Sequence, residues 1–347
     1  MLSDPYTLIA FWTAGAALSL TVAMAVQILW VHWRLRVRLR HDSRFQARWR
    51  PILLQAIDAV PRNLPAVRAG DDLSFLSLWI QFHESLRGPA RHRLRAIALQ
   101  MRMDVVARKL LAQGGTRERL VALLTLGHLG DRESWGPLLR IARSPHSLLS
   151  IMAARAMLMI DPVRAVNVLL ASMTSRLDWP LAQIKAMLGE VDRAAIAHGL
   201  AAGLNSTPAS HHPQLVALMD AADSELIALV LQRLLWRSDD VEVLVACLKS
   251  VHAPRDRPLI LRLLKHSSWQ VRAQSARVFP GVAIRGDEAA LTGLLSDPAW
   301  WVRYRAAQAL VNLPLITADE LRRLRAGLSD RFARDMLDQV MSEESRR

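Results

Sequence analysis

The sequence has one cysteine, Cys247, two tyrosines and six phenylalanines in 347 residues. A lone cysteine excludes an internal disulfide and any cysteine-built metal cluster. HExxH, Cys-x-x-Cys, a Gly-rich phosphate loop and Gly-x-Ser-x-Gly are all missing, so the commonest zinc-hydrolase, redox, nucleotide-binding and serine-hydrolase signatures find no support. Hydrophobic residues reach 52% while aromatics stay at 5%. A core short of rings must be built from Leu, Ala, Val, Ile and Met, which favours helices over sheets. Strand-like alternation is also lacking after residue 50; apolar residues recur there at three and four positions. Against this background the 11 tryptophans stand out.

The formal charge is +14 and unevenly spread. Residues 34–119 hold 18 Lys/Arg against 7 Asp/Glu, whereas residues 120–347 hold 27 against 23. A nucleic-acid binder more often spreads its charge along the binding face, so no nucleic-acid partner is expected.

Residues 6–33, "YTLIAFWTAGAALSLTVAMAVQILWVHW", contain no Lys, Arg, Asp or Glu. Such a run is long enough to span a bilayer, and Trp12, Trp30 and Trp33 sit where interfacial aromatics belong. Arg34, Arg36, Arg38, Arg40, Arg44, Arg48 and Arg50 follow, opposed by Asp42 alone. The positive-inside rule then predicts an uncleaved single-pass helix in a bacterial-type cytoplasmic membrane, with the N-terminus outside and the remainder in the cytoplasm. Arg34, Arg36, Arg38, Arg40 and Arg44 become candidates for anionic lipid headgroups.

Helix boundaries are marked by Asp71–Asp72, by Gly114–Gly115 and by Thr116 with Glu118. Internal similarity is stronger still: "HSSWQVRAQSARVF" (266–279) aligns without gaps to "DPAWWVRYRAAQAL" (297–310) at an offset of 31. Trp269 matches Trp300, Val271 matches Val302 and Arg272 matches Arg303. Residues 144–158 align more loosely at an offset of 153, and each unit follows a leucine-rich helix. Val302, Ala306, Ala309 and Leu310 share one helix face, and Asp297 and Pro298 suit its start. Asp297, Trp300, Arg303, Trp269 and Arg272 therefore read as a structural ladder, with the arginines pairing to turn acids or carbonyls of the adjacent unit.

The pattern resembles HEAT repeats of the short kind found in bilin-lyase-like proteins, over roughly residues 114–330. The resemblance implies an all-α protein: a right-handed α-solenoid of helix pairs behind the N-terminal transmembrane helix. The expected division is an anchor at 1–33, a basic juxtamembrane segment at 34–50, a helical cap or degenerate repeats at 51–113, repeats at 114–330, and a C-terminal cap and tail at 331–347. Repeat solenoids differ mainly in what their surfaces bind, so the resemblance says little about function.

Candidate chemistry is thin. The one His-Glu pair, His83–Glu84, falls short of the several symmetric pairs in the HEAT-repeat enzyme that hydroxylates deoxyhypusine. His211–His212 lie in a polar, turn-rich segment, and Cys247 reads as a small buried apolar residue. No catalytic residue, metal or cofactor is expected. The favoured expectation is a non-catalytic, membrane-tethered scaffold for a protein partner, another membrane protein being one candidate. A DNA-glycosylase-like nucleic-acid binder and a bilin lyase-like enzyme are the alternatives. Trp301 and Arg305, where the aligned unit has Gln270 and Gln274, share a helix face that the repeat does not demand. They are the candidate partner-binding residues.

Overall fold

The computed structural model describes the backbone of residues 5–55, 58–61, 64–68, 70–222, 225–251, 253–313 and 316–344. Within the first helix, side chains are described at 12, 19–30, 32 and 43–55. Every regular element among these residues is helical. Two compact units divide the chain, residues 1–135 and 136–347.

The first unit contains α1 (Pro5–Gln55), α2 (Asp72–Ser85), α3 (Pro89–Gln100), α4 (Met103–Gln113) and α5 (Thr116–Leu129). α1 is 51 residues long, unbroken through the arginine-rich stretch. Its last turns pack on α2: Phe45, Trp49 and Leu53 are buried, and the Trp49 ring meets Phe75 edge-on at 4.8 Å. Glu118 of α5 accepts the N–H of Gly115, as one half of a capping box does.

The apolar part of α1 requires a correction. The side chains described at 19–30 are exposed. Among the described residues no helix is long and apolar enough to cross a membrane. The expected single-pass placement in the cytoplasmic membrane, N-terminus outside, is overturned, and with it the anchor ahead of the repeats. The headgroup role given to Arg34, Arg36, Arg38, Arg40 and Arg44 rested on that placement. The first four side chains lie outside the described residues, and Arg44 is exposed.

The second unit is a stack of helix pairs: α6 (Trp135–Ala142) with α7 (Ser147–Ile160), α8 (Pro162–Ser175) with α9 (Leu181–Gly189), and α10 (Arg193–Ser206) with α11 (His212–Met219). There follow α12 (Glu225–Arg237) with α13 (Val241–Lys249), α14 (Arg257–Leu263) with α15 (Trp269–Val278), α16 (Glu288–Leu294) with α17 (Trp300–Val311), and α18 (Ala318–Gly327) with α19 (Arg331–Glu344). The second helices touch in strict order from α7 through α9, α11, α13, α15 and α17 to α19, and α8, α10, α12 and α14 stack behind them. This two-layer order is that of a helical solenoid, and it includes α19, which the sequence reading places in a terminal cap. Small side chains permit close approach: Ala306, Ala307 and Ala309 of α17 and Ala273 and Ala276 of α15 are buried, and the two helices pack together.

Candidate functional site

A groove of about 540 Å³ runs across the second helices α9, α11, α13 and α15. Leu181, Pro213, Val241 and Val245 form apolar walls, while Lys185, Asp220, Glu242 and Lys249 bring two charges of each sign. Lys185 Nζ lies 2.8 Å from an Asp220 carboxylate oxygen, tying α9 to the end of α11. Gln270, the repeat equivalent of Trp301, lines its far end.

Leu181, Pro213, Val241 and Gln270 come from the starts of their helices. Leu181 and Val241 are the first residues of their helices, and Pro213 and Gln270 the second. Corresponding positions elsewhere hold Leu148 on α7, Trp269 on α15, Trp300 and Trp301 on α17, and Phe332 on α19. All are partly or largely exposed: Trp301 keeps 52% of its surface and Phe332 72%. An apolar side chain thus recurs in the first turn of seven successive second helices.

The sequence reading counted Trp269 and Trp300 among the ladder residues. Both begin their helices and remain 42% and 43% exposed. Trp300 lies parallel to Tyr304 at 5.2 Å and edge-on to Trp301 at 4.8 Å, forming a surface aromatic cluster. Tyr304 turns to α19, donating to Glu343 Oε2 at 2.9 Å. Trp301 remains open, and Arg305, half-buried, donates to Gln308 Oε1 at 2.8 Å.

The arginines behave differently. Arg272 Nε and Nη2 donate to the two carboxylate oxygens of Asp297 at 2.7 and 2.9 Å, bridging α15 to the turn before α17. Arg272 Nη1 also donates to the carbonyls of His266 and Ser267, and Arg303 Nη1 repeats the motif on Asp297 and Pro298. Asp297 accepts the N–H of Ala299 at 2.9 Å; Ala299 is the N-cap, so Pro298 stands before the helix rather than in its first turn. Burial alone would raise the Asp297 carboxyl, but hydrogen bonds from Arg272 and Ala299, with the charges of Arg272 and Arg303, hold it below the ordinary carboxylate range. Arg334 of α19 continues the same 31-residue spacing, a signal present in the sequence but hidden by the loss of the tryptophan there.

Among the described residues no group of three or more His, Cys, Asp or Glu could hold a metal ion. Cys247 is fully buried, and burial pushes its thiol up to about 12. His211 and His212, read as loop residues, instead close a helical turn and open α11, where Pro213 sets the first turn. In the first unit, His83 is buried with its ring 4.4 Å from that of His128 and 4.8 Å from Trp79. Sequence reasoning singled out His83 only for its neighbour Glu84; the pairing with His128, 45 residues away, is purely tertiary.

Residues 256–338 match the HEAT-repeat family. That span runs from just before α14 into α19, covering the units whose internal similarity is strongest. No curated protein matches the chain.

Proposed function

We propose that this protein is a HEAT-repeat scaffold that binds a protein partner along its second helices, acting by binding rather than by catalysis. The carrying observation is the groove across α9, α11, α13 and α15, apolar in its walls and balanced in charge. A groove that crosses four successive helices offers the length a polypeptide needs, and the balance of Lys185 and Lys249 with Asp220 and Glu242 gives no advantage to a polyanion. Trp301 and Arg305 extend the same face by one repeat.

A photocrosslinking residue placed at Gln214, exposed within the groove, tests the reading in cells. A discrete adduct is expected there and not from Leu229, exposed on the first-layer helix α12. Equal adducts from both positions, or none from Gln214, would count against it.

A further inference from the structure

The exposed apolar strip at the starts of the second helices continues into the turns that precede them. Each pair runs out along its first helix and back along its second, so the turns inside pairs share one edge of the second unit and the links between pairs the other. Six of the seven inner turns carry an exposed large apolar side chain in or beside them: Leu148, Leu177, Trp236, Trp269, Trp301 and Phe332. Apart from Trp300, next to Trp301, no other tryptophan, tyrosine or phenylalanine described in this unit is exposed. Among the described residues, the links between pairs and the helix starts beside them offer Val163 and Ile284 as exposed large apolar residues, and no ring.

Two features of this edge select what covers it. The first is isolation: Leu177 is wholly exposed, the six side chains stand on separate turns, and none of them lines the groove. A protruding tip offers a protein partner little shape to match, whereas a fluid apolar phase covers each tip without any register. The second is the charge between the tips. Arg143, Arg237, Lys265 and Arg331 are exposed there, and so are Asp178, Asp239 and Asp240. That near balance exerts little pull on a nucleic acid. It suits a headgroup layer, where a tryptophan turns its apolar body to the acyl chains and its N–H to water.

We propose that the edge of inner turns docks on a lipid surface, its tryptophan, leucine and phenylalanine tips entering the boundary between headgroups and acyl chains while the helices stay outside. No element crosses the bilayer in this arrangement. Attachment comes from apolar burial at several tips rather than from attraction to anionic lipid. The docked edge and the groove use different side chains, so either can hold without the other.

The test uses the full-length protein with Leu177→Cys, labelled with the environment-sensitive fluorophore NBD; Cys247 is buried and stays unlabelled. Phosphatidylcholine vesicles should shift the emission to the blue, with little effect of added sodium chloride. The same label at Ile284→Cys, on the opposite edge, should not respond. That comparison separates docking of the edge from vesicle capture by the exposed side chains at 19–30, which would not distinguish the two positions. Adding Trp269→Ser to the Leu177→Cys protein should raise the lipid concentration for half the response about tenfold, as loss of one inserted ring does. Trp269 is exposed, and an unchanged far-UV dichroism spectrum checks that the variant folds. No response at Leu177, an equal response at Ile284, or a response that needs phosphatidylglycerol and vanishes in salt overturns the proposal. So does a photocrosslinker at Leu177 that captures a discrete protein in cells while vesicles leave the NBD emission unmoved. Either failure leaves the groove, and a crosslink from Gln214, unaffected.

Discussion

Arg272 and Asp297 form a two-pronged ion pair, 2.7 and 2.9 Å, that joins one repeat to the next at the edge of the stack. The side chains are 14% and 6% exposed, so water screens the pair little. Removing one partner leaves the other charge sealed against the turn carbonyls. Arg272→Ala or Asp297→Ala is therefore expected to destabilise the second unit by about 3 kcal/mol. The double variant should cost less than the two singles combined, as read from denaturant melts. Additive costs would show that the two residues do not act together. The Asp297 carboxyl is held low in the fold, so its contribution is present above the ordinary carboxylate pKa and disappears as pH falls through the folded value.

His83 makes the first unit sensitive to mild acid. Burial is the main cause of its low pKa, and His128, Arg91, Arg95 and His92 add to it, taking it from 6.5 to about 3. Its Nδ1 has no hydrogen-bond partner among the described residues. The unfolded chain takes up a proton below 6.5 and the folded chain does not, so stability is lost as pH drops from 6.5 toward 3. The slope approaches 1.4 kcal/mol per pH unit. Thermal melts at pH 7.5 and pH 5 should separate, and His83→Leu should shrink the gap. An unchanged gap would assign the acid sensitivity elsewhere.

Cys247 should be inert in the folded protein. With the thiol fully buried and raised to about 12, native reaction with a disulfide reagent is expected to be on the order of a thousandfold slower than that of a free thiol. One equivalent should react promptly once guanidinium unfolds the chain. Rapid native labelling would show that α13 opens readily.

Gly130 ends α5 with φ +63°, a left-handed conformation that side chains resist. Its N–H reaches the Gly127 carbonyl and Asp131 N–H reaches Leu126, both at 3.0 Å. A Cβ would also lie 3.0 Å from the Arg95 guanidinium. Gly130→Ala should cost about 1–2 kcal/mol, lowering the melting temperature, with Gly130→Asn milder because asparagine tolerates this backbone. No loss for the alanine variant would mean that the helix end relaxes freely.

Helical periodicity made the architecture readable, since apolar residues three and four apart have one stable arrangement in a chain this poor in rings and β-branched alternation. The match of 266–279 to 297–310 revealed the repeat for the same reason: Val271 with Val302, and Ala276 with Ala307, fill equivalent buried places. What the residues touch was less legible. Trp269 and Trp300 recur in register, which suggested packing, yet recurrence specifies a position and not its burial. The helix starts at those residues and leaves them outside. The uncharged run at 6–33 with arginines behind it invited a bilayer, yet among the described residues no helix is long and apolar enough to cross one. The contacts of Tyr304 with Glu343 and of His83 with His128 depend on how separate helices meet, which no local pattern encodes.

The exposed apolar strip occupies the first two positions of the second helices, whereas the buried valines and alanines begin at the third. Surface and cohesion are thereby written in different letters of each repeat. A sequence can exchange its strip residues, or gain or lose a whole helix pair, without rewriting the core beneath.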